Sequence, residues 1–205
     1  MTEASKKFVK LSLWSALIVF IGRGLIGWNE LSIIKNSGEY FKLAYTLLGY
    51  AGEAIAGVAL FMWVFDKWLW RWKPLNCIIG GMPVLARRYK GTITFVWEDQ
   101  DQTKNTEIEI MQTFLSVTVK LGTDESFSNS VTATIQEEHG SKILVYTYLN
   151  TPKAEIQNRS AIHFGTAMLY VDDPKHLMGN YFTIRQSSGS MDLKAVEIEK
   201  SRRGN

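Results

Sequence analysis

One cysteine, Cys77, stands in 205 residues. A single thiol excludes an intramolecular disulfide framework. Histidine is almost as scarce: His139, His163 and His176 lie far apart, and no His-Glu-x-x-His run or paired Cys/His spacing occurs. No metal-ligand pattern can be read from such a set. Nor do these residues supply a nucleophile, a base and an orienting group, so catalysis is not expected and no cofactor is implied. A basic C-terminal half is also missing. Residues 86–205 carry a net charge of −1, whereas residues 1–85 carry +4. A duplex-binding domain is usually basic itself, so the excess positive charge does not mark a nucleic-acid surface, and neither DNA nor RNA is an expected partner. Finally, no helical stretch of useful length follows residue 90.

What the chain does have is a long apolar run. Residues 43–65, LAYTLLGYAGEAIAGVALFMWVF, hold one charge, Glu53. As a helix the run reaches ~34 Å, enough to cross a hydrocarbon core of ~30 Å. Asp-Lys-Trp-Leu-Trp-Arg-Trp-Lys follows at once. Indole rings among cations suit the headgroup layer of a membrane. A buried helix of a soluble protein is the competing reading. The earlier apolar run, residues 11–22, is too short to span alone. A signal peptide would have the same basic start and short apolar core, but Arg23 sits where a small-residue cleavage site belongs. If Arg23 is tolerated, residues 11–29 make a workable span. The sequence therefore predicts a two-helix transmembrane hairpin over residues 1–72, with helices near 8–28 and 43–68. The connection, residues 29–42, has no charge bias. Lys6, Lys7 and Lys10 precede the first helix, and Lys67, Arg71, Lys73, Arg87 and Arg88 follow the second. Cations flank the cytoplasmic side of membrane segments, so both ends of the hairpin are expected there.

Arg23 and Glu53 need a reason to sit in such helices, since intramembrane charges usually pair or line a polar path. They have opposite signs, on antiparallel helices, at similar depth. They either pair inside one hairpin or pair between protomers and line a water-filled path in an assembly. Gly49, Glu53 and Gly57 recur at four-residue intervals, which gives the second helix one face of small residues where helices can approach.

Residues 73–89 hold two of the four prolines and a Gly-Gly, and read as a linker that could lie on the membrane. From residue 90 the period changes from helical to alternating. Eight strands are predicted over 90–200: 90–98 with Ile93, Phe95 and Trp97 on one face; 106–112 with Ile108, Ile110 and Gln112; 114–121 with Leu115, Val117, Val119 and Leu121; 127–137 with Val131, Ala133 and Ile135; then 142–150, 161–171, 179–186 and 190–198. A tight turn at His139-Gly140 joins the fourth and fifth, and Glu98 to Asp101 end the first. Short meandering strands with one apolar face bury it best by closing into an antiparallel up-and-down barrel. A two-sheet sandwich is the alternative.

The run EIEIMQTFLSVTVKLGTDESFSNS over 107–130, with YTYLNTP at 146–152, HFGTA at 163–167 and GNYFTIR at 179–185, resembles a known family. These are the two-transmembrane, strand-rich effectors of bacterial CBASS anti-phage operons, the CD-NTase-associated protein 15 family. The resemblance implies an eight-stranded lipocalin-like barrel that senses a cyclic dinucleotide made by a partner nucleotidyltransferase. It further implies oligomers in the inner membrane, with the barrel in the cytoplasm, membrane disruption, and death of the infected cell. A membrane-tethered carrier of a lipid is the rival reading, and a protein-binding scaffold a weaker one.

Such a ligand needs cations or N–H and O–H donors for two phosphates, and ring faces for two bases. The candidate ligand contacts are Gln112, Tyr146, Tyr148, His163 and Arg185. Face parity puts Gln112 and Asn129 into the lumen and Lys120 outside. Tyr146 and Tyr148 share a face of the fifth strand, inward or outward. His163 shares a face with Gly165 and Ala167, where small residues would open room. Arg185 suits a phosphate by chemistry, yet lumen positions for Phe182 and Ile184 would turn it outward. Thr123, Ser126 and Ser128 read as ordinary turn residues.

Overall fold

The computed structural model describes residues 3–97, 100–158 and 160–196. Two compact units are present, Met1–Gly80 and Gly81–Asn205. The first contains α1 (Glu3–Ile26), α2 (Trp28–Asn36), α3 (Tyr40–Lys67), a 3-10 turn (Leu69–Arg71) and α4 (Lys73–Ile78). Phe8 meets Phe65 with ring centroids 5.7 Å apart, and Arg23 meets Glu53, so α1 and α3 run antiparallel. Phe8–Ile26 and Tyr40–Lys67 are long and apolar enough to cross a membrane. In the most apolar 18-residue stretch of each span, none of the first and 22% of the second is buried within the chain. That burial does not suit the core helix of a soluble protein, whose apolar face is covered by its own neighbours.

The expected connection between the helices is itself largely helical. α1 stops at Ile26 and α2 starts at Trp28; Gly27, between them, abuts Tyr50 of α3. A Cβ at Gly27 would collide with the Tyr50 hydroxyl. That hydroxyl donates to Glu30 Oε2 at 2.8 Å, which fixes the first turn of α2 against α3.

The second unit is a closed antiparallel barrel of eight strands among the described residues: β1 (Arg88–Trp97), β2 (Gln100–Gln112), β3 (Val117–Gly122), β4 (Ser126–Glu138), β5 (Ser141–Pro152), β6 (His163–Tyr170), β7 (His176–Thr183) and β8 (Ser188–Ala195). Each strand pairs with the next in sequence, and β8 returns to β1, from Tyr89 opposite Ala195 to Phe95 opposite Gly189. Closure removes both sheet edges and rules out the sandwich. The core is the inward set of alternating side chains, including Ile108, Val119, Leu144, Leu169, Leu177 and Leu193. His139 and Gly140, at φ 52 and 83, form the two-residue turn between β4 and β5. Their positive φ values match the strand twist such hairpins require.

Four expected features of the barrel are corrected. β2 begins at Gln100, inside the stretch expected to end the first strand, and so takes in Lys104. β3 begins at Val117, because Thr113 N donates to Ser116 O (2.8 Å) and makes a turn that leaves Leu115 exposed. β4 carries a bulge between Ser130 and Thr132. The extra residue inverts parity on its N-terminal side. Ser128 is therefore buried, Asn129 is outward, and Val131 is 62% exposed, while Ala133 and Ile135 stay in the core. β7 runs over His176–Thr183, with Leu177 and Tyr181 inward and Phe182 and Ile184 outward. The Trp97 side chain, the turn at 98–99 and any strand beyond 196 lie outside the described residues.

The barrel has unlike ends. Residues 83–87 lie across the end where β1 begins. Gln112 Oε1 accepts from Leu85 N (3.0 Å), and Gln112 Nε2 donates to Pro83 O (2.9 Å). Tyr89 Oη accepts from Ala86 N (2.8 Å) and donates to Pro174 O (2.7 Å). Burial pushes the Tyr89 phenol up to about 12. This end is closed, and the opposite mouth is framed by the turns after β3, β5 and β7.

Tight curvature leaves no room beside some backbone atoms. A Cβ at Gly91 would overlap the Asp192 carbonyl oxygen, whereas one at Gly122 would meet only the Phe127 ring, at 3.8 Å. Gly91→Ala should therefore cost about 1–3 kcal/mol of barrel stability, and Gly122→Ala less than about 1 kcal/mol. Chemical unfolding of the full chain in detergent, followed by strand circular dichroism, checks the contrast.

Candidate functional site

A cavity of about 490 Å³ opens at the mouth of the barrel. Its floor is apolar, with Ile93, Leu121, Tyr146 and Met191. Phe95, Tyr148 and Tyr181 add ring surface, and polar groups from the mouth turns complete the rim.

Tyr146 and Tyr148 both face inward from β5. Their ring centroids lie 5.8 Å apart at a 46° tilt, and Tyr146 Oη sits 3.9 Å from Met191 Sδ. Tyr148 lies over Gly165 of β6, where any Cβ would strike the phenol. The small residue that the sequence marked as opening the lumen is thus occupied by a ring. Burial raises the Tyr146, Tyr148 and Tyr181 phenols above their ordinary value. They remain neutral hydroxyls across physiological pH, able to donate.

His163 stands at the rim where β6 begins. Its Nδ1–H donates to Ala161 O (2.8 Å), which leaves Nε2 as a lone-pair acceptor in the neutral ring. Arg185 lines the cavity too, contrary to the outward orientation expected of it. β7 ends at Thr183, whose N–H donates to Ser187 O (2.9 Å), and the turn that follows carries Arg185 to the mouth. Its Nη1 donates to Ser160 Oγ at 2.8 Å. Gln112 is buried on the inward face as expected, but at the closed end, where its amide holds residues 83–85; it does not line the cavity.

Sequence reasoning passed over Phe95 as a ring surface, and Lys104, Glu125, Asn150 and Tyr181 as site residues. Asn150 Oδ1 accepts from Ser128 Oγ (2.8 Å), which turns its NH₂ toward other partners. Only the bulge in β4 brings Ser128 inward, and a bulge leaves little trace in composition. Tyr181 could have been found by extending the Leu177 parity along β7. Among the described residues, no group of three His, Cys, Asp or Glu side chains is placed to hold a metal.

In the helical unit, Arg23 Nε donates to Glu53 Oε2 at 2.9 Å within one chain, and the guanidinium carbon lies 4.1 Å from the Tyr50 ring centroid. Of the two pairings the sequence left open, this is the one inside a single hairpin. Gly49 and Gly57 face open space; a Cβ on either would meet no atom within 4 Å.

Comparison with known proteins adds a family. A model described as the Cap15 cyclic dinucleotide receptor domain matches residues 81–195. A CD-NTase-associated protein 15 from Staphylococcus schleiferi is 37% identical over 133 residues, covering 65% of this chain and 71% of that protein. Another, from Yersinia aleksiciae, is 32% identical over 147 residues, covering 68% and 67%.

The buried phenols set a pH limit on the barrel. Their folded pKa values lie above the unfolded value of about 10, so the stabilisation is complete below that pH. As pH rises, unfolded chains release these protons first, and the folded state loses ground. Denaturation midpoints should fall as pH rises above ~10, less steeply in Tyr146→Phe, as read by unfolding across alkaline buffers.

Proposed function

Because the chain belongs to the Cap15 cyclic dinucleotide receptor family, we propose that it is the membrane effector of a CBASS anti-phage system. A cyclic dinucleotide from a cognate nucleotidyltransferase enters the mouth cavity, the barrels associate, and the hairpins cluster in the bacterial inner membrane and disrupt it. The protein is a receptor rather than an enzyme. The distribution of lysine and arginine around the helices supports a cytoplasmic N-terminus and barrel.

One observation carries this reading: the cavity lies inside the matched domain and combines a guanidinium, neutral phenols and aromatic faces in one mouth. Arg185 suits a phosphate, since a planar fork of donors meets its oxygens in pairs. Tyr148 and Tyr181 offer a stacking face together with a hydroxyl donor. His163 Nε2 can accept from a ribose hydroxyl or an exocyclic amine. A purely apolar carrier of acyl chains has little use for that rim.

Ligand shifts the resting and assembling states only by its difference in affinity for them. In this reading Arg23 and Glu53, with Gly49 and Gly57 on the small-residue face of α3, are the membrane assembly residues. Helices that approach along that face bring the charged pair of one hairpin beside those of its neighbours, and a polar defect forms at that depth.

Titration calorimetry of the full chain in detergent tests the receptor step. Arg185→Ala should weaken the cognate cyclic dinucleotide about tenfold or more, the loss expected for one charge-assisted contact. Native mass spectrometry showing bound lipid and no nucleotide would favour the carrier instead. An unchanged membrane potential in expressing cells supplied with saturating ligand would reject the effector step.

A further inference from the structure

A cavity that takes a doubly charged anion has no evident use for a carboxylate, yet Glu125 lines it. It is the one acidic side chain among the described lining residues. An uncompensated carboxylate there would repel phosphate. Its position is nonetheless fixed. Glu125 N donates to Thr123 Oγ1 (3.3 Å), and Lys153 N donates to Glu125 O (2.9 Å), so the turn after β3 is tied on both sides of the residue. The side chain forms an ion pair with Lys104 of β2, whose ammonium lies 5.3 Å from the Phe95 ring centroid.

The cavity therefore has two poles. Arg185, Ser160 and His163 gather on one side, on the turns after β5 and β7. Phe95, Lys104 and Glu125 gather on the other, on β1, β2 and the turn after β3. The second pole has the composition of a base-reading site: a ring to stack on, a cation and a carboxylate side by side. Among the four common bases, guanine alone presents two adjacent N–H donors, N1–H and N2–H₂, with the O6 acceptor next to them. A carboxylate accepts both donors together, and a neighbouring ammonium donates to O6. Adenine and cytosine each offer one amino group beside an acceptor nitrogen, and uracil one N–H between two carbonyls, so each leaves one carboxylate oxygen unmatched. Leaving a partly buried acceptor unmatched is what rejects the wrong ligand.

We propose that Glu125, with Lys104, makes this receptor selective for cyclic dinucleotides that contain guanine. The proposal rests on the reading of the mouth cavity as the cyclic dinucleotide site.

The test is calorimetry of the full chain in detergent against cyclic di-GMP, cyclic GMP-AMP, cyclic di-AMP and cyclic di-UMP, each in its available phosphodiester linkages. The wild-type chain should bind its best guanine-containing ligand about tenfold or more tighter than any ligand lacking guanine, the size of one bidentate base contact. Glu125→Gln should lose about tenfold or more on that ligand, because its amide NH₂ opposes a guanine donor. The same variant should bind cyclic di-AMP within about threefold of wild type, or more tightly, since a negative charge has left an anion site. A wild-type chain that binds a guanine-free ligand equally well overturns the selectivity and leaves the receptor reading standing. Equal weakening of both ligands in a variant with the wild-type melting temperature does the same. Failure of the whole panel to bind overturns both. Should Glu125→Gln not fold, the wild-type panel alone decides.

Discussion

Four hydrogen bonds at Gln112 and Tyr89 close one end of the barrel, and the position of the site follows from them. Both side chains are buried, and each takes one donor from and gives one proton to the backbone of the segments that cross that end. A buried amide or phenol left unmatched costs about as much as the bond it lacks, so this arrangement is held firmly. An eight-stranded barrel is narrow, and side chains nearly fill its interior. With one end shut by residues 83–87, the interior cavity among the described residues opens at the mouth. The mouth is also where the turns after β3, β5 and β7 bring polar groups without breaking the apolar core.

The helical unit is organised by a similar matching of polar groups, in apolar surroundings. Tyr50 sits between Arg23 and Glu30: its ring lies under the guanidinium, and its hydroxyl donates to the carboxylate. Glu53, one turn along α3, completes the pair with Arg23. Gly27 is the position that permits all of this, because no side chain fits between it and the phenol. The result is a hairpin in which Arg23, Glu30 and Glu53 find partners within the chain, although its apolar faces do not. Such a hairpin can rest in a bilayer at low cost. Its contacts with other hairpins would set how far it assembles.

Much of the fold was legible because one signal dominates each half: unbroken apolar length in the first, alternation in the second. β2 shows this best, with Thr106, Ile108, Ile110 and Gln112 inward in strict sequence. The site was less legible, for three local reasons. In β4 a bulge shifts parity at Ser130, and no residue type announces it. In β7, Tyr181 and Phe182 give both faces an aromatic, and the outer one was taken for the inner, which turned Arg185 the wrong way. Gln112 was read correctly as an inward amide, but strand parity reports the face of a residue and not the end of the barrel it serves. Lys104 and Glu125 lie in segments whose charge suggests solvent. Only closure, which brings the turn after β3 beside β2, makes them neighbours.

The contacts at the mouth also bear on how a ligand could act at a distance. Moving a two-state equilibrium from 1:99 to 99:1 takes a difference in affinity of about 10⁴-fold. A single contact seldom supplies that, but the mouth is built from separate turns whose polar groups hold one another. Arg185 holds Ser160 across two turns, and Lys104 holds Glu125 across β2 and the turn after β3. On the proposed reading, a phosphate would compete for Arg185 in the first pair, and a base would hydrogen-bond to both members of the second. Exchanging one partner for another is nearly neutral in isolation, because the lost bond offsets the gained one. The net effect therefore comes from ligand that engages several turns at once, which a small anion cannot do and a macrocycle with two phosphates and two bases can. On the proposed reading, selectivity and switching would share a cause: a ligand long enough to reach both poles.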